Sequence, residues 1–217
     1  MSTVNEPVVI GPGMAGTLMT PEEFFTAEDW DERYRYELIK GVLVVTPPPG
    51  EGERGPNGLL DYQLRSYQRE HPEGSALDYT LSEHDIQIGD TIRRADRVIW
   101  AGLGKMPNVR RETPTIAIEF VSNSRRDRRR DFEQKRDEYL SVGIAEYWVI
   151  DRFRRQMTVF RSQENKVTEQ IIADGESYST SLLPGFVLEP GSLCAEADEL
   201  REAQGDGPVV AWLSAPC

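Results

Sequence analysis

The order of hydrophobic and polar positions along the chain predicts short helices between strands. The capping-box pattern of residues 20–23 predicts a helix that ends near Trp30 and buries Phe24 and Phe25. Two β-prone runs on either side of Gly41 predict a hairpin.

A second set of elements is predicted after this hairpin. The Pro- and Gly-rich stretch up to Pro56 predicts a loop, and Asn57 is the candidate N-cap of a helix that ends near Glu70. The run Thr115–Val121 is apolar on both faces, which is typical of a central strand. Gly143 ends the helix predicted after that strand. Further strands are predicted at residues 76–79, 85–88, 97–100, 146–150, 157–160 and 167–172.

These elements predict one domain of the α/β or α+β class. A central mixed β-sheet is expected to be flanked by helices, with a helix and a β-hairpin at its N-terminal end. We expect a flexible lead-in at residues 1–18, the domain itself at residues 19–195 and an acidic tail at residues 196–217.

Composition supports a globular domain and excludes several classes. Of the 217 residues, 38% are hydrophobic and 9% aromatic, which is enough for a core. The longest apolar runs are far shorter than the about 20 residues of a membrane-spanning helix, and no secretory signal is visible. Two cysteines form neither a disulfide framework nor a zinc site, so we expect a cytoplasmic protein.

The charge of the chain is unevenly distributed. The net charge of −12 argues against a nucleic-acid ligand if it is spread evenly. Residues 90–161, however, contain 17 Lys and Arg against 11 Asp and Glu, a local balance of +6 that leaves −18 for the remainder. This asymmetry indicates an anionic substrate in the middle of the chain.

Glu119 and Lys135 are the first candidates for chemistry. At about 100° per residue, Lys135 falls inside the apolar arc of its predicted helix, between Val142 and Tyr139. Glu119 interrupts an apolar strand near its C-terminal end, where a carboxylate is costly unless it is paired or bound to a metal. Two plainer interpretations remain open: the Lys135 stem reaches out to solvent, or Glu119 merely forms an ion pair with Lys135.

Two further carboxylates extend this group. Asp96 begins a neighbouring predicted strand, and Glu37 lies in the first hairpin. Either alone is typical of an ordinary carboxylate at a strand edge. Together with Glu119 and Lys135 they have the composition of a hard-metal site, with oxygen ligands for Mg²⁺ and a cation to hold the nucleophile.

Six short segments in this order resemble the Uma-two-type restriction endonucleases, a bacterial family within the PD-(D/E)xK nuclease superfamily. The resemblance extends over about residues 19–193 and implies a restriction endonuclease-like core. The segments are Tyr36–Val44, Thr46–Pro49, Ala95–Ile99, Ile118–Ser122, Lys135–Tyr139 and Gly143–Asp151.

The resemblance implies a role for each residue that matches. Asp96 and Glu119 match the two metal ligands, for Mg²⁺ or its substitute Mn²⁺. Lys135 matches a lysine that this family carries on the helix rather than two residues after the glutamate. Glu37 matches an N-terminal glutamate that binds the metal or positions a neighbour, and Tyr139 would steer the lysine or a phosphate.

The chain also departs from the pattern. Val121 stands where the superfamily normally has its lysine, and Ala95 and Asn123 stand where proline is usual. Pro56 replaces a histidine found in many relatives. None of these changes removes a ligand, so the resemblance implies an active enzyme.

An arginine run that enters the same helix is the candidate contact for the substrate. Arg125, Arg126 and Arg129 would bind phosphates that flank the cleaved bond. The plainer interpretation is a solvated helix start whose charge is offset by Asp127 and Asp131. Cations at a helix N-terminus oppose the macrodipole, which favours the ligand contact.

Three functions compete on this pattern. The first is a Mg²⁺-dependent endonuclease of DNA whose catalytic residues are Glu37, Asp96, Glu119 and Lys135. The second is a non-catalytic module that binds nucleic acid or protein and keeps the nuclease fold. A carboxylate-pair hydrolase of sugars ranks last because it leaves Lys135 without a role. The resemblance allows a homodimer, and no membrane partner is expected.

Overall fold

The computed structural model describes residues 9–121, 130–163 and 166–203. The strands are β1 (Val9–Ile10), β2 (Asp29–Trp30), β3 (Arg35–Ile39), β4 (Val42–Thr46), β5 (Leu77–Ile88), β6 (Thr91–Ala101), β7 (Ile116–Phe120), β8 (Glu146–Asp151), β9 (Gln156–Gln163), β10 (Lys166–Ala173), β11 (Tyr178–Ser179) and β12 (Val187–Leu188). The helices are α1 (Pro21–Phe25), α2 (Glu51–Glu70), α3 (Arg136–Ser141) and α4 (Pro190–Ala203). A π-helical turn, Arg130–Lys135, leads directly into α3.

The centre of the fold is an eight-stranded sheet of β3 to β10. Strands β7 and β8 are parallel, and the other strand pairs of this sheet in the described residues are antiparallel. The sheet is therefore mixed and flanked by helices, which confirms the predicted fold class. The predicted hairpin is the pair of β3 and β4.

Strand β6 divides the sheet, because it contacts three other strands. β5 pairs with one edge of β6 along almost its whole length. On the other edge, β3 meets β6 at Ile92, and β7 meets it at residues 97–99. Residues 93–96 lie between these two contacts, and we call this position the fork.

Helices cover both faces of the sheet. On one face, Leu60 and Leu64 of α2 and Leu193 of α4 pack in the same core as Ile118 of β7. On the other face, Tyr139 of α3 packs in a core with residues of β6, β7 and β8. Side chains alternate along a strand, so Glu119 points to the α3 face, opposite to Ile118.

The N-terminal helix is shorter than predicted. The Thr20 hydroxyl accepts a hydrogen bond from the backbone N–H of Glu23, and the Glu23 carboxylate accepts one in return, which confirms the capping box. The helix ends at Phe25, and Trp30 belongs to β2, where its ring meets Phe24 at 4.6 Å between centroids. The prediction of a helix to Trp30 is therefore wrong. Phe24 is buried as predicted, but Phe25 is 51% exposed.

Residues 9–18 are part of the folded unit. Ile10 in β1 is fully buried, in the same core as Phe24 and Leu38. The backbone N–H of Gly16 donates to the carbonyl oxygen of Leu43 at 2.8 Å. A flexible lead-in up to residue 18 is therefore wrong for this part, because an apolar side chain anchors it. Residues 1–8 lie outside the described residues.

Helix α2 replaces the end of the predicted loop. It begins at Glu51, six residues before Asn57, and it contains Pro56. Asn57 is therefore not an N-cap. Gly52 and Gly55 lie against Arg152 and Leu200, in space that a larger side chain would need. Tertiary packing here overrides the poor helix propensity of glycine and proline.

The boundary predicted at residues 195 and 196 falls inside α4. Ala197 is fully buried, and Leu200 packs against Gly55 of α2. The first eight residues of the predicted tail, 196–203, are therefore helical and packed on the domain. Residues 204–217 lie outside the described part of the chain.

Candidate active site

Asp96 and Glu119 lie side by side on adjacent strands. The register pairs Arg97 of β6 with Ile118 of β7, so one more residue along the ladder brings Asp96 opposite Glu119. Residues in this position have Cβ atoms about 4.5–5.5 Å apart and point to the same face. Both carboxylates line one cavity of about 50 Å³.

Asp96 is held by two groups from different elements. Its Oδ2 accepts a hydrogen bond of 2.8 Å from the backbone N–H of Phe120, next to Glu119. Its Oδ1 accepts one of 2.9 Å from the Arg35 guanidinium. The carboxylate is therefore fixed toward the end of β7, and its remaining lone pairs are available for a further ligand.

Lys135 reaches the same cavity from the π-helical turn. Its Nζ lies 2.8 Å from Oε1 of Glu119, 3.5 Å from Oε1 of Glu37 and 4.0 Å from Oδ1 of Asp131. Only 3% of the residue is exposed. The ammonium is thus buried among carboxylates. The interpretation in which the Lys135 side chain reaches out to solvent is therefore wrong.

Tyr139 fixes the second carboxylate. It is fully buried one turn after Lys135, and its hydroxyl donates to Oε1 of Glu119 at 2.9 Å. Lys135 and Tyr139 therefore hold the same oxygen of Glu119. Burial raises the pKa of Tyr139 well above its usual range, and the Glu119 charge raises it further, so the hydroxyl keeps its proton.

Glu37 is occupied by three cationic or N–H groups. Its Oε1 accepts from the backbone N–H of Arg94 at 3.0 Å and lies 3.5 Å from Lys135, and its Oε2 accepts from Arg93 at 3.2 Å. Burial raises its pKa, but Lys135 and Arg93 outweigh this effect and lower the pKa to about 2. Because both oxygens of Glu37 are already engaged, this arrangement favours a role in positioning Lys135 over a role as a metal ligand.

Sequence reasoning missed several side chains that line the cavity, among them Asp131, Glu53 and Arg35. Asp131 lies four residues before Lys135, and this spacing was a usable signal. Glu53 comes from the part of α2 that was predicted to be a loop, so no pattern indicated it. Arg35 precedes the predicted hairpin and bridges Asp96 and Glu83.

Among the described residues, five carboxylates and four cationic side chains line the cavity, so the carboxylates lie close enough to affect one another. Burial raises the pKa of Glu119, and Asp96 and Asp131 raise it further against the opposing effect of Lys135. Burial and Asp96 raise the pKa of Glu53 to about 7. The carboxylates Glu119 and Glu37 raise the pKa of Lys135 despite its burial, so the ammonium stays charged. A further cation would relieve the repulsion between the carboxylates.

The donor set fits Mg²⁺. Within the described residues, no group of three or more His, Cys, Asp or Glu side chains is arranged to hold a metal ion. Mg²⁺, however, keeps several waters and is usually bound through one or two carboxylates, which Asp96 and Glu119 supply. A cavity of about 50 Å³ leaves room for such waters.

Two other expectations concern the surroundings of the site. The predicted phosphate contacts Arg125, Arg126 and Arg129 lie outside the described residues, as do Asn123 and Asp127. None of the helices in the described ranges is long and apolar enough to cross a membrane.

A solved structure shares this fold. It is described as a putative nuclease belonging to DUF820 from Anabaena variabilis ATCC 29413, and it superposes with a TM-score of 0.63 at 17% identity. The match covers 82% of this chain and 99% of that chain. The two chains therefore share one α/β fold over most of their length.

The sequence comparisons name the family. The family model described as Uma2, putative restriction endonuclease, matches residues 21–191. The chain therefore belongs to the Uma2 family, which confirms the resemblance. The DNA double-strand break repair protein Mre11 of Haloferax volcanii is 25% identical over 92 residues, which are 42% of this chain and only 21% of that protein.

Proposed function

We propose that this protein is a Mg²⁺-dependent endonuclease that hydrolyses phosphodiester bonds of DNA. The observation that carries the proposal is the side-by-side pair of Asp96 and Glu119, with Lys135 buried 2.8 Å from Glu119. Membership of the Uma2 family supports a nuclease, and the chemistry of the cavity supports the metal.

Each residue of the site has a separate task in this proposal. Asp96 and Glu119 would hold Mg²⁺, or Mn²⁺ in its place, and the ion would polarise the phosphate and lower the pKa of a bound water. Lys135 orients the attacking water or offsets the charge that develops on the phosphate. Tyr139 fixes Glu119, and Glu37 fixes Lys135.

One comparison favours DNA as the substrate, and one stretch of the sequence favours a phosphate backbone in general. The relative from Haloferax volcanii is named as a DNA double-strand break repair protein. In addition, Arg125, Arg126 and Arg129 precede the turn that carries Lys135, and we propose that they bind flanking phosphates. A homodimer and a cytoplasmic location remain predictions, which a measurement of molecular mass and cell fractionation would test.

Nicking of supercoiled plasmid tests the proposed activity. With Mg²⁺, the wild type is expected to convert supercoiled plasmid to the nicked form, and Glu119→Gln and Lys135→Met are expected to lose at least about 100-fold in rate, as is typical when an electrostatic catalytic group is removed. Glu169→Gln and Lys105→Met make the same chemical changes on exposed residues and should nick at the wild-type rate.

Equal nicking by the wild type, Glu119→Gln and Lys135→Met would place the activity elsewhere. DNA binding without nicking by any protein, in Mg²⁺ or Mn²⁺, would favour the non-catalytic module instead. Circular dichroism of each variant shows whether it is folded, so a loss of activity can be separated from a loss of structure.

A further inference from the structure

A second cavity, of about 440 Å³, lies beside the candidate active site. It is large enough for a small organic ligand, for which pockets of about 300–1,000 Å³ are usual. Nothing in the proposed catalytic chemistry uses this cavity. Its lining includes Phe25, Trp30, Tyr34, Arg54, Glu83 and Asp85.

Aromatic rings form one wall of this cavity, which we call the aromatic pocket. Trp30 packs edge-on against Phe24 at 4.6 Å between ring centroids and lies 5.3 Å from Tyr36. Phe25 contacts Phe24 at 5.6 Å and is 51% exposed. The buried rings fix the wall, and the exposed Phe25 presents a free surface to a ligand.

Two arginines join the aromatic pocket to the active site. Arg35 lines both cavities: one nitrogen of its guanidinium contacts Asp96 and another contacts Glu83, each at 2.9 Å. Arg94 also lines both cavities. Its side chain binds Asp85 of the aromatic pocket, and its backbone N–H donates to Glu37 of the active-site cavity. A ligand in the pocket is therefore next to the groups that hold Asp96 and Glu37.

We propose that the aromatic pocket binds one unpaired nucleobase of the DNA strand whose phosphate is cleaved. This inference rests on the proposed function, because it takes the neighbouring cavity as the place of cleavage. An unpaired base occurs in single-stranded DNA or where a base has been displaced from a duplex.

The chemistry of the pocket matches a base rather than a phosphate. Aromatic faces stack on any base, and the carboxylates of Glu83 and Asp85 accept hydrogen bonds from the amino groups of bases. The lining has as many carboxylates as arginines, and Glu83 and Asp85 are paired with Arg35 and Arg94, so the pocket has no excess of positive charge to attract a phosphate. Arg35 and Arg94 stand at the side that faces the active site, where the phosphate of the same nucleotide would lie.

Equilibrium binding in EDTA tests the proposal without cleavage. The probes are a fluorescein-labelled duplex with one unpaired adenine, the same duplex fully paired, and its single strand, each followed by anisotropy at fixed low salt. The wild type is expected to bind the single strand and the bulged duplex more tightly than the paired duplex. Phe25→Ala is expected to weaken binding of these two probes about 5- to 30-fold and to change the paired duplex little.

Tyr62→Ala is the matched control, because Tyr62 is an aromatic residue of α2 that is 69% exposed and does not line the pocket. It should bind all three probes like the wild type. If the wild type binds only the single strand more tightly than the paired duplex, the pocket is assigned to single-stranded DNA. If it binds the bulged duplex more tightly as well, the pocket also accepts a base displaced from a duplex.

Tyr34→Ala changes a second aromatic residue of the pocket. If the wild type, Phe25→Ala and Tyr34→Ala all bind each probe with the same affinity, the proposed base pocket is overturned. If the wild type also nicks plasmid, that result leaves the proposed function intact. If the wild type never nicks but discriminates between the probes, and Phe25→Ala loses this discrimination, the proposed function fails and the base pocket stands.

Discussion

Lys135 is the residue on which the charge balance of the site depends. Its ammonium is the buried cation nearest to Glu119, and it also approaches Glu37 and Asp131. An unpaired buried charge is costly, so removal of Lys135 would leave the neighbouring carboxylates without their shared counter-charge. In the proposed function, the same group of charges would attract a divalent cation.

The pKa of Glu37 predicts how stability depends on pH. Lys135 and Arg93 lower this pKa from 4.5 to about 2. A carboxyl whose pKa is lower in the folded state stabilises the protein above its unfolded value of about 4.5, and this stabilisation is lost as the pH falls toward 2. The full effect is about 3 kcal/mol.

Urea denaturation of the wild type and Glu37→Gln at several pH values measures this effect. The difference in the free energy of unfolding should be largest near pH 6 and about 2 kcal/mol smaller at pH 3. Glu169→Gln, on an exposed strand, should show no such dependence. A difference that stays constant with pH would show that the Glu37 charge is not what stabilises the fold.

Sequence reasoning located some of these residues for physical reasons and could not locate others. Helical projection placed Lys135 on the buried side, and Glu119 stood out as a charge in an apolar strand. Glu53 could not be found, because its side chain reaches the cavity only when residues 51–56 are helical. Local propensity at those residues predicts the opposite.

At the scale of elements, the fork in the sheet creates the site. At the fork, residues 93–96 of β6 lie between the contacts with β3 and with β7. Side chains there form hydrogen bonds with the β6 backbone in place of a neighbouring strand. The N–H of Arg94 donates to Glu37, and its carbonyl oxygen accepts from Lys135 at 3.5 Å. Side chains of the candidate active site therefore also close the sheet. Hydrophobic periodicity predicts strands but does not say which strands pair, so the fork could not be predicted.

Asn57 connects α2 to the strand that carries Asp96. Its amide N–H donates to the backbone carbonyl of Asp96 at 2.9 Å, and its carbonyl oxygen accepts from Arg97 at 2.6 Å. Asn57→Ala leaves a buried arginine and a carbonyl without this partner. The expected loss in the free energy of unfolding is about 1–3 kcal/mol, measured by urea denaturation.

Asn108→Ala is the comparison for Asn57→Ala, because Asn108 is exposed and its side chain accepts only a long hydrogen bond, 3.3 Å, from the backbone N–H of Arg110. Its cost should be smaller, about 0.5 kcal/mol. Equal stability of the two variants would contradict the connecting role of Asn57.

For the whole molecule, the uneven charge of the sequence is partly balanced inside the fold. Three arginines of β6 form ion pairs with carboxylates from outside the basic segment 90–161. These pairs are Arg93 with Glu37, Arg94 with Asp85, and Arg97 with Asp61. The positive charge of the segment is therefore not simply a surface strip, so the surplus counted from the sequence overstates the positive charge that is free at the surface.

The salt dependence of DNA binding tests the remaining basic charge. Binding is expected to weaken with salt, and replacement of Arg125, Arg126 and Arg129 by Gln should make the slope of log affinity against log salt shallower by about 3. An Arg69, Arg110 and Arg111 to Gln variant removes the same charge at exposed positions elsewhere on the molecule and should change the slope less. Equal slopes for the wild type and the first variant would show that these arginines do not bind phosphates.

The most direct test of the account is the rate of plasmid nicking as Mg²⁺ is titrated, for the wild type and Asp96→Asn. Asp96→Asn keeps the shape of the side chain and removes the charge that would hold the ion. The account predicts a wild-type rate that rises from zero in EDTA to saturation, and little or no nicking by Asp96→Asn at any Mg²⁺ concentration tested. Nicking in EDTA, or the same Mg²⁺ dependence in both proteins, would contradict it.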